Sequence, residues 1–458
     1  MGGVDIMQPD ALAQKAVFPA ISESRALRLG MIFLLYVAQG VPLGIFFIAL
    51  PAWMAANGAG AAAVGTVLAA VSLPWTLKFF NGFIMERYPF LAMGRRRPWL
   101  IGGQLLIVVG LLAMAFANPA ATDVALLSAF AFAINVATTF QDVAIDGMAV
   151  DLVPEAERAQ ANGLMFGGQA LGMAAAGAAA GWGIGAVGLP AVLIVAALFV
   201  LGLLLWLMLC RERPGERLLP WTVGQPSAVC VEAHLGAWWP VLQMTWKAMT
   251  ERKSLLVLPA FLLVGMQGGI YNGALPLAAV EFAAWPQERI SGLLASGSLV
   301  AGLLAVAVYG LIIGYMGVRR SMMAGYAMMA LTALLALAAF AQWPNGWPLG
   351  GLMLVSDPIN FFLAVCVGVV AMRLCKPAVA ATQFTLYMAT VNLGRTLGAA
   401  LLGPLDGLGG GVAMIGGLAA VGLAGMFFAR GIAADKAQES GGMPTESMES
   451  AKVASVVI

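Results

Sequence analysis

Charge is scarce in this 458-residue chain: Asp, Glu, Lys and Arg together make up 10% of it, against 61% hydrophobic residues. No soluble globule hides that much apolar surface from water, so the chain reads as an integral membrane protein. Histidine is nearly absent. His234 stands alone without companion ligands, which argues against a metal centre. The four cysteines, Cys210, Cys230, Cys366 and Cys375, show no CxxC spacing and are expected as free thiols. Glycine is abundant, yet the phosphate-cradling pattern GxxxxGK[ST] occurs nowhere, which excludes an ATPase motor of that kind. No cofactor is expected. A formal net charge of +2 implies no nucleic-acid partner. Segments with period-2 alternation are missing too, which excludes a β-barrel.

What the sequence does have is apolar runs long enough for a hydrocarbon layer of about 30 Å, which takes about 20 helical residues. Cutting at charges, prolines and polar clusters gives twelve helices, near 30–53, 62–85, 98–117, 124–148, 160–182, 189–209, 255–280, 290–314, 320–341, 348–371, 378–404 and 409–431. The expected fold is all-α: a polar tail over 1–29, a six-helix bundle over 30–210, a linker with an interfacial segment over 211–254, a second six-helix bundle over 255–432 and a disordered tail over 433–458. The first tail lacks the apolar core and cleavage site of a signal peptide. Basic residues sort to one side. Arg87, Arg95, Arg96, Arg97, Arg158, the linker cluster, Arg319, Arg320, Arg373 and Lys376 fall in one set of alternate connections, whereas the other set holds only Arg289. By the positive-inside rule, the first set and both termini are cytoplasmic.

Charge gathers in "ERYPFLAMGRRRPW", residues 86–99. A positive-inside anchor would account for its arginines but not for Gly82 and Glu86. Gly82-x-x-x-Glu86-Arg87 followed by Gly94-Arg95-Arg96 resembles the loop motif of the major facilitator superfamily, with Glu for Asp and an insertion before the second glycine. A degenerate copy, Gly310-x-x-x-Gly314 with Gly317, Arg319 and Arg320, stands at the equivalent turn of the second half. "LPWTLKFFNGFIMERY" (73–88), "FQDVAIDGMAVDLVPEAERAQANGL" (140–164) and "ATQFTLYMATVNLGRTLGAALLGPLDG" (381–407) are similar to helices 2, 4 and 11 of the AmpG-type muropeptide permease and acetyl-CoA transporter branch. This chain departs from that branch where a helix 4 lysine is missing within 147–150, where Gln267 replaces an acidic residue and where Gln169 replaces an arginine.

An ionisable side chain at bilayer depth costs about 2.5–3.5 kcal/mol, so each one needs a partner or a wet cavity. Asp142 and Asp146 are four apart on helix 4 and share one of its faces, and Lys78 of helix 2 lies at comparable depth in the cytoplasmic half. A Lys78 bridge to one carboxylate would leave the other free to take a proton; the alternative is a structural brace between helices 2 and 4. Gly82, Glu86, Arg87, Gly94, Arg95, Arg96, Arg97, Asp151 and Arg158 form the expected cytoplasmic gate, whose charge pairs would hold the halves together. Asp357 and Arg395 lie at similar depths, ~12–14 Å from the outer helix ends. Either they pair, or Arg395 faces a central cavity and holds an anionic group. Gln141, Gln169, Gln267, Asn272 and Gln383 complete the candidate solute or ion-pair set.

The resemblance implies a non-enzymatic secondary transporter of the bacterial inner membrane, acting as a monomer by alternating access. Its expected partners are protons, the lipid bilayer and a small-molecule solute such as an anhydro-muropeptide. The alternatives are a siderophore or other organic anion as cargo, or a non-transporting pigment-delivery or assembly protein.

Overall fold

The computed structural model describes residues 18–88, 90–154, 157–232, 239–375 and 380–432. Among the described residues the architecture is helical throughout, with an isolated bridge between Ala20 and Arg211. The first half holds α1 (Arg25–Ala56), α2 (Ala61–Leu77, continued as Phe79–Arg87), α3 (Arg97–Ala117), α4 (Val124–Leu152), α5 (Arg158–Val187) and α6 (Leu189–Met208). The second holds α7 (Arg252–Ala283), α8 (Gln287–Met316), α9 (Val318–Ala338), α10 (Trp347–Leu374), α11 (Ala380–Ala400) and α12 (Leu402–Ala429). Apart from the bent α2 and the more polar α11, each is long and apolar enough to cross a membrane.

Local sequence explains the ends and the bends. Ser24 accepts from the Leu27 amide (3.3 Å) and caps α1; Asp123 does the same for α4 through Leu126 (3.3 Å). Helix α2 turns by 47° at Lys78. Single wide turns interrupt α1 at Ile45–Ala49 and α8 at Ala305–Tyr309. The break expected between 404 and 409 falls elsewhere: α11 stops at Ala400, and the next helix contains its kink at Gly409 and Gly410, where φ of +59° at Gly410 suits only glycine.

Small residues let helices touch. Carbonyl groups of α5 occupy the space that β-carbons on Gly40 and Gly44 of α1 would need, and α7 and α11 meet in the same way through Gly265, Gly269, Gly394 and Gly398. The halves meet along α2 and α11 and along α5 and α8. Gly181 of α5 lies against Ser291 of α8, and Gly65 of α2 lies against Ala399 and Leu402. The segment Leu50–Ala56 packs on α7 and α8, which closes the end opposite to that where α1 begins. These are called the far and near ends below.

The linker is fastened to the first half. The Ile21 amide donates to the Arg211 carbonyl (2.8 Å), the Arg211 amide to Pro19 (2.9 Å) and the Arg217 amide to Ala92 (2.7 Å). All four cysteines are free thiols.

Candidate functional site

Scarce intramembrane charges converge in the first half. Lys78, placed by the bend of α2, lies 2.8 Å from the Asp142 carboxylate of α4. Gln39 of α1 donates to the other Asp142 oxygen at 2.5 Å. Asp142 is 4% exposed, and these two donors meet its two oxygens. Asp146, one turn on, is half-buried and accepts from the Tyr36 hydroxyl of α1; no cation touches it among the described residues. Gln141 faces the other way and ties α4 to the Leu35 carbonyl (3.1 Å). Lys78 therefore bridges one carboxylate and leaves the other to a hydroxyl.

The second half places its carboxylate differently. Asp357, 4% exposed, accepts from Tyr271 of α7 and Ser298 of α8. The alternative of an Asp357–Arg395 pair is not realised among the described residues. Arg395 instead sets its guanidinium carbon 5.3 Å from the Phe47 ring centroid, a contact between the halves, and its Nε is buried without a hydrogen-bond partner. A β-carbon on Gly268 would lie 3.4 Å from that Nε and 3.5 Å from the Asn360 Oδ1, so the two side chains flank one small gap. Gln267 is fully buried with both amide atoms unpartnered, and Asn272 is buried nearby in α7. Gln383 does not join this group: its amide donates to Leu374 O (3.2 Å) and Tyr387 (3.0 Å), tying α10 to α11. Gln169 is half-buried on α5, whose backbone crosses α1 at Gly40.

At the near end, the arginines of the α2–α3 turn are organised by two carboxylates. Arg96 Nε lies 3.0 Å and Arg95 Nη1 3.8 Å from Asp151 at the end of α4. Glu212, fully buried just after α6, accepts from the amides of Arg95, Arg96 and Arg97 at 3.1, 3.0 and 2.9 Å. Its side chain fills the space beside Gly94, whose φ of +99° a β-carbon would resist. Arg97, fully buried, returns the favour to α6 by donating to Met208 O (3.0 Å) and Leu207 O (3.4 Å). An anionic group thus sits at the positive end of α3 and a cation at the negative end of α6.

Three arginines of the expected gate take part in this bracing. These bonds of Arg95, Arg96 and Arg97 end within the first half and the linker, because α3 and α6 are antiparallel neighbours, and so they brace one bundle. Gly82 lies on the α2 continuation with open space around it. The side chains of Glu86, Arg87 and Arg158 lie outside the described residues. In the linker, burial and the neighbouring Glu212 push the Glu216 carboxyl above the ordinary range; Ser227 and the Arg213 amide oppose the shift. Tyr36, Gln39, Tyr271, Ser298 and Glu212 were not marked by the sequence. An uncharged side chain carries no cost that singles it out, and the role of Glu212 depends on which helices are adjacent.

The sequence model of the Major Facilitator Superfamily matches residues 32–399, and the chain belongs to this superfamily of membrane transporters. It is 31% identical over 131 residues to the anhydromuropeptide permease of Escherichia coli K12 and 35% identical over 130 residues to the putative transporter AmpG 4 of Rickettsia felis. These stretches cover 29% and 27% of this chain, and 26% and 30% of the relatives' own lengths. In fold, it is similar to a nucleoside transporter NupG mutant, with a TM-score of 0.66 and 14% identity over 88% of this chain and 98% of that one. A POT family transporter bound to a thioalcohol-conjugated peptide gives 0.64, also at 14% identity, over 88% and 94%.

Proposed function

We propose that the chain is a proton-coupled secondary transporter of the bacterial inner membrane, importing a bulky polar anion with an anhydro-muropeptide as the first candidate. The carrying observation is Asp146: a carboxylate beside the Lys78–Asp142 bridge, touched by no cation among the described residues and held by a hydroxyl that serves either protonation state. The stretch shared with the anhydromuropeptide permease supports the cargo, and Arg395 beside Phe47 supplies a planar donor for an anionic group. Gln267 and Gln169, where the branch carries charge, keep a siderophore-like organic anion as the second reading. The basic turns support a cytoplasmic near end with both termini on that side, and on that reading closure at the far end corresponds to an inward-facing carrier.

The test is uptake of labelled anhydro-muropeptide and a panel of organic anions into proteoliposomes under an imposed pH gradient. Gradient-dependent accumulation of one class is expected. Equal uptake with and without the gradient would remove proton coupling. For orientation, a reporter fused after residue 432 should be active only on the cytoplasmic side; periplasmic activity would reverse the assignment.

A further inference from the structure

Three intramembrane carboxylates differ in the chemistry of their partners. Asp142 accepts from the Lys78 ammonium and from the Gln39 amide nitrogen, so a cation contacts it directly. Asp146 and Asp357 are held by hydroxyls, which donate to a carboxylate and accept from a carboxylic acid. Between those two, Asp357 is the more enclosed, at 4% exposure. The two also differ in depth. Asp357 lies ten residues into α10, about 15 Å from its far-end start, whereas Asp146 lies 22 residues into α4, about 33 Å from the same end.

The groups facing Asp357 are few. Helix α7 contributes Tyr271, α8 contributes Ser298 and Tyr309, and α11 contributes Arg395, which makes no ion pair with it among the described residues. The Tyr309 hydroxyl is engaged by the Pro358 carbonyl at 2.7 Å. On α9, Tyr326 donates to Ala260 O, and Arg319 and Arg320 start that helix at the near end. A buried carboxylate ion touched only by neutral hydroxyls pays a desolvation cost of several kcal/mol that no contacting cation offsets.

We propose that Asp357 is a second proton-binding site, separate from the carboxylates of α4, which takes its proton from far-side water when that end is open and keeps it while the end is closed. Neutral Asp357 leaves the full charge of Arg395 to an anionic group of the solute. Loss of the proton makes Asp357 a competitor for Arg395 and weakens that hold. The role in transport rests on the proton-coupled reading above; the protonation itself does not.

The experiment is infrared spectroscopy of the purified full chain in lipid nanodiscs at neutral pH, in H2O and D2O, comparing wild type with D357N, D142N and Y271F. The carbonyl stretch of a buried protonated carboxyl group is expected in wild type, unchanged in D142N, shifted in Y271F and lost in D357N. Identical carbonyl regions in wild type and D357N would overturn the proposal. Should D357N not fold, an unshifted band in Y271F would do the same. In proteoliposomes loaded for anhydro-muropeptide uptake, D357N should lose at least tenfold of the response to far-side pH while retaining solute exchange. Wild type that fails to move anhydro-muropeptide would sink the substrate reading and leave the infrared result to decide this one.

Discussion

The two halves solve the problem of intramembrane charge in opposite ways. In the first, Lys78 meets Asp142 directly, and at the near end Asp151 and Glu212 answer the arginines of the α2–α3 turn. In the second, Asp357 is surrounded by hydroxyls, Arg395 has no carboxylate, and Arg319 and Arg320 of the equivalent turn make no ion pair among the described residues. The first half pairs Lys78, Arg95 and Arg96 with carboxylates; in the second, Arg395 makes no ion pair among the described residues. A charge left unpaired on the face toward the partner half is available to a ligand, and a paired one is available to architecture. Under the proposed function, the first half is a braced frame carrying the proton-accepting Asp146, and the second is the half that holds the solute.

The sharpest way to break that comparison is to unpair the frame. Lys78→Met leaves Asp142 buried without its cation, which costs about 3–5 kcal/mol where one partner of a buried pair is removed. Thermal unfolding in detergent should show a large loss for this variant and recovery of most of it in the double variant with Asp142→Asn. If the single variant is as stable as wild type, Lys78 is not balancing a buried charge. Arg395→Gln removes a charge that no carboxylate touches among the described residues, so it should leave unfolding nearly unchanged and raise the half-saturating concentration of an anionic solute at least tenfold. A stability loss matching that of Lys78→Met would erase the distinction between the halves.

Coupling is the next separation. Asp146→Asn should abolish accumulation driven by a pH gradient while solute exchange persists, because the hydroxyl of Tyr36 pairs with an amide as readily as with an acid. Intact accumulation in this variant, and also in the Asp142→Asn and double variants, would remove α4 from the mechanism.

Much of this was legible from the residues alone, for a physical reason. Helices must be long to cross a bilayer, so the spans stood out as uninterrupted apolar runs, and ionised groups are so expensive there that Lys78, Asp142, Asp146, Asp357 and Arg395 marked themselves. Their neighbours did not. Tyr36 and Tyr271 look like any aromatic in an apolar helix until a carboxylate is seen opposite, and the bonds of the Gln383 amide to Leu374 and Tyr387 become visible only in the packed helices. Glu212 sat in a linker rich in charge. Only the adjacency of α3 and α6 makes it the acceptor for three successive amides.

The near-end turns give a smaller contrast. Lysine obeys the positive-inside bias as well as arginine does, but it cannot span Asp151 or the two α6 carbonyls with a planar fork. Arg96→Lys and Arg97→Lys should slow transport severalfold at normal expression, whereas Arg319→Lys and Arg320→Lys should leave it within about twofold. Equal effects at both turns would reduce the first to a topological anchor.

The smallest effect is expected in the linker strap. Glu216 is buried close to Glu212, and its carboxyl is held above the ordinary glutamate range. The sign follows from linkage. A folded-state value above the unfolded one means that the folded protein binds the proton more tightly, so the contribution to stability is full below the unfolded value and is lost as pH rises through the folded one. Glu216→Gln fixes the neutral form and keeps an oxygen for the Ser227 hydroxyl or the Arg213 amide. Its unfolding temperature should exceed that of wild type slightly at neutral and alkaline pH, and the two should converge as pH falls towards the ordinary range of glutamate. A variant less stable than wild type at every pH would mean that the strap uses the Glu216 charge, and the neutralisation seen at the α2–α3 turn would then extend through the linker as well.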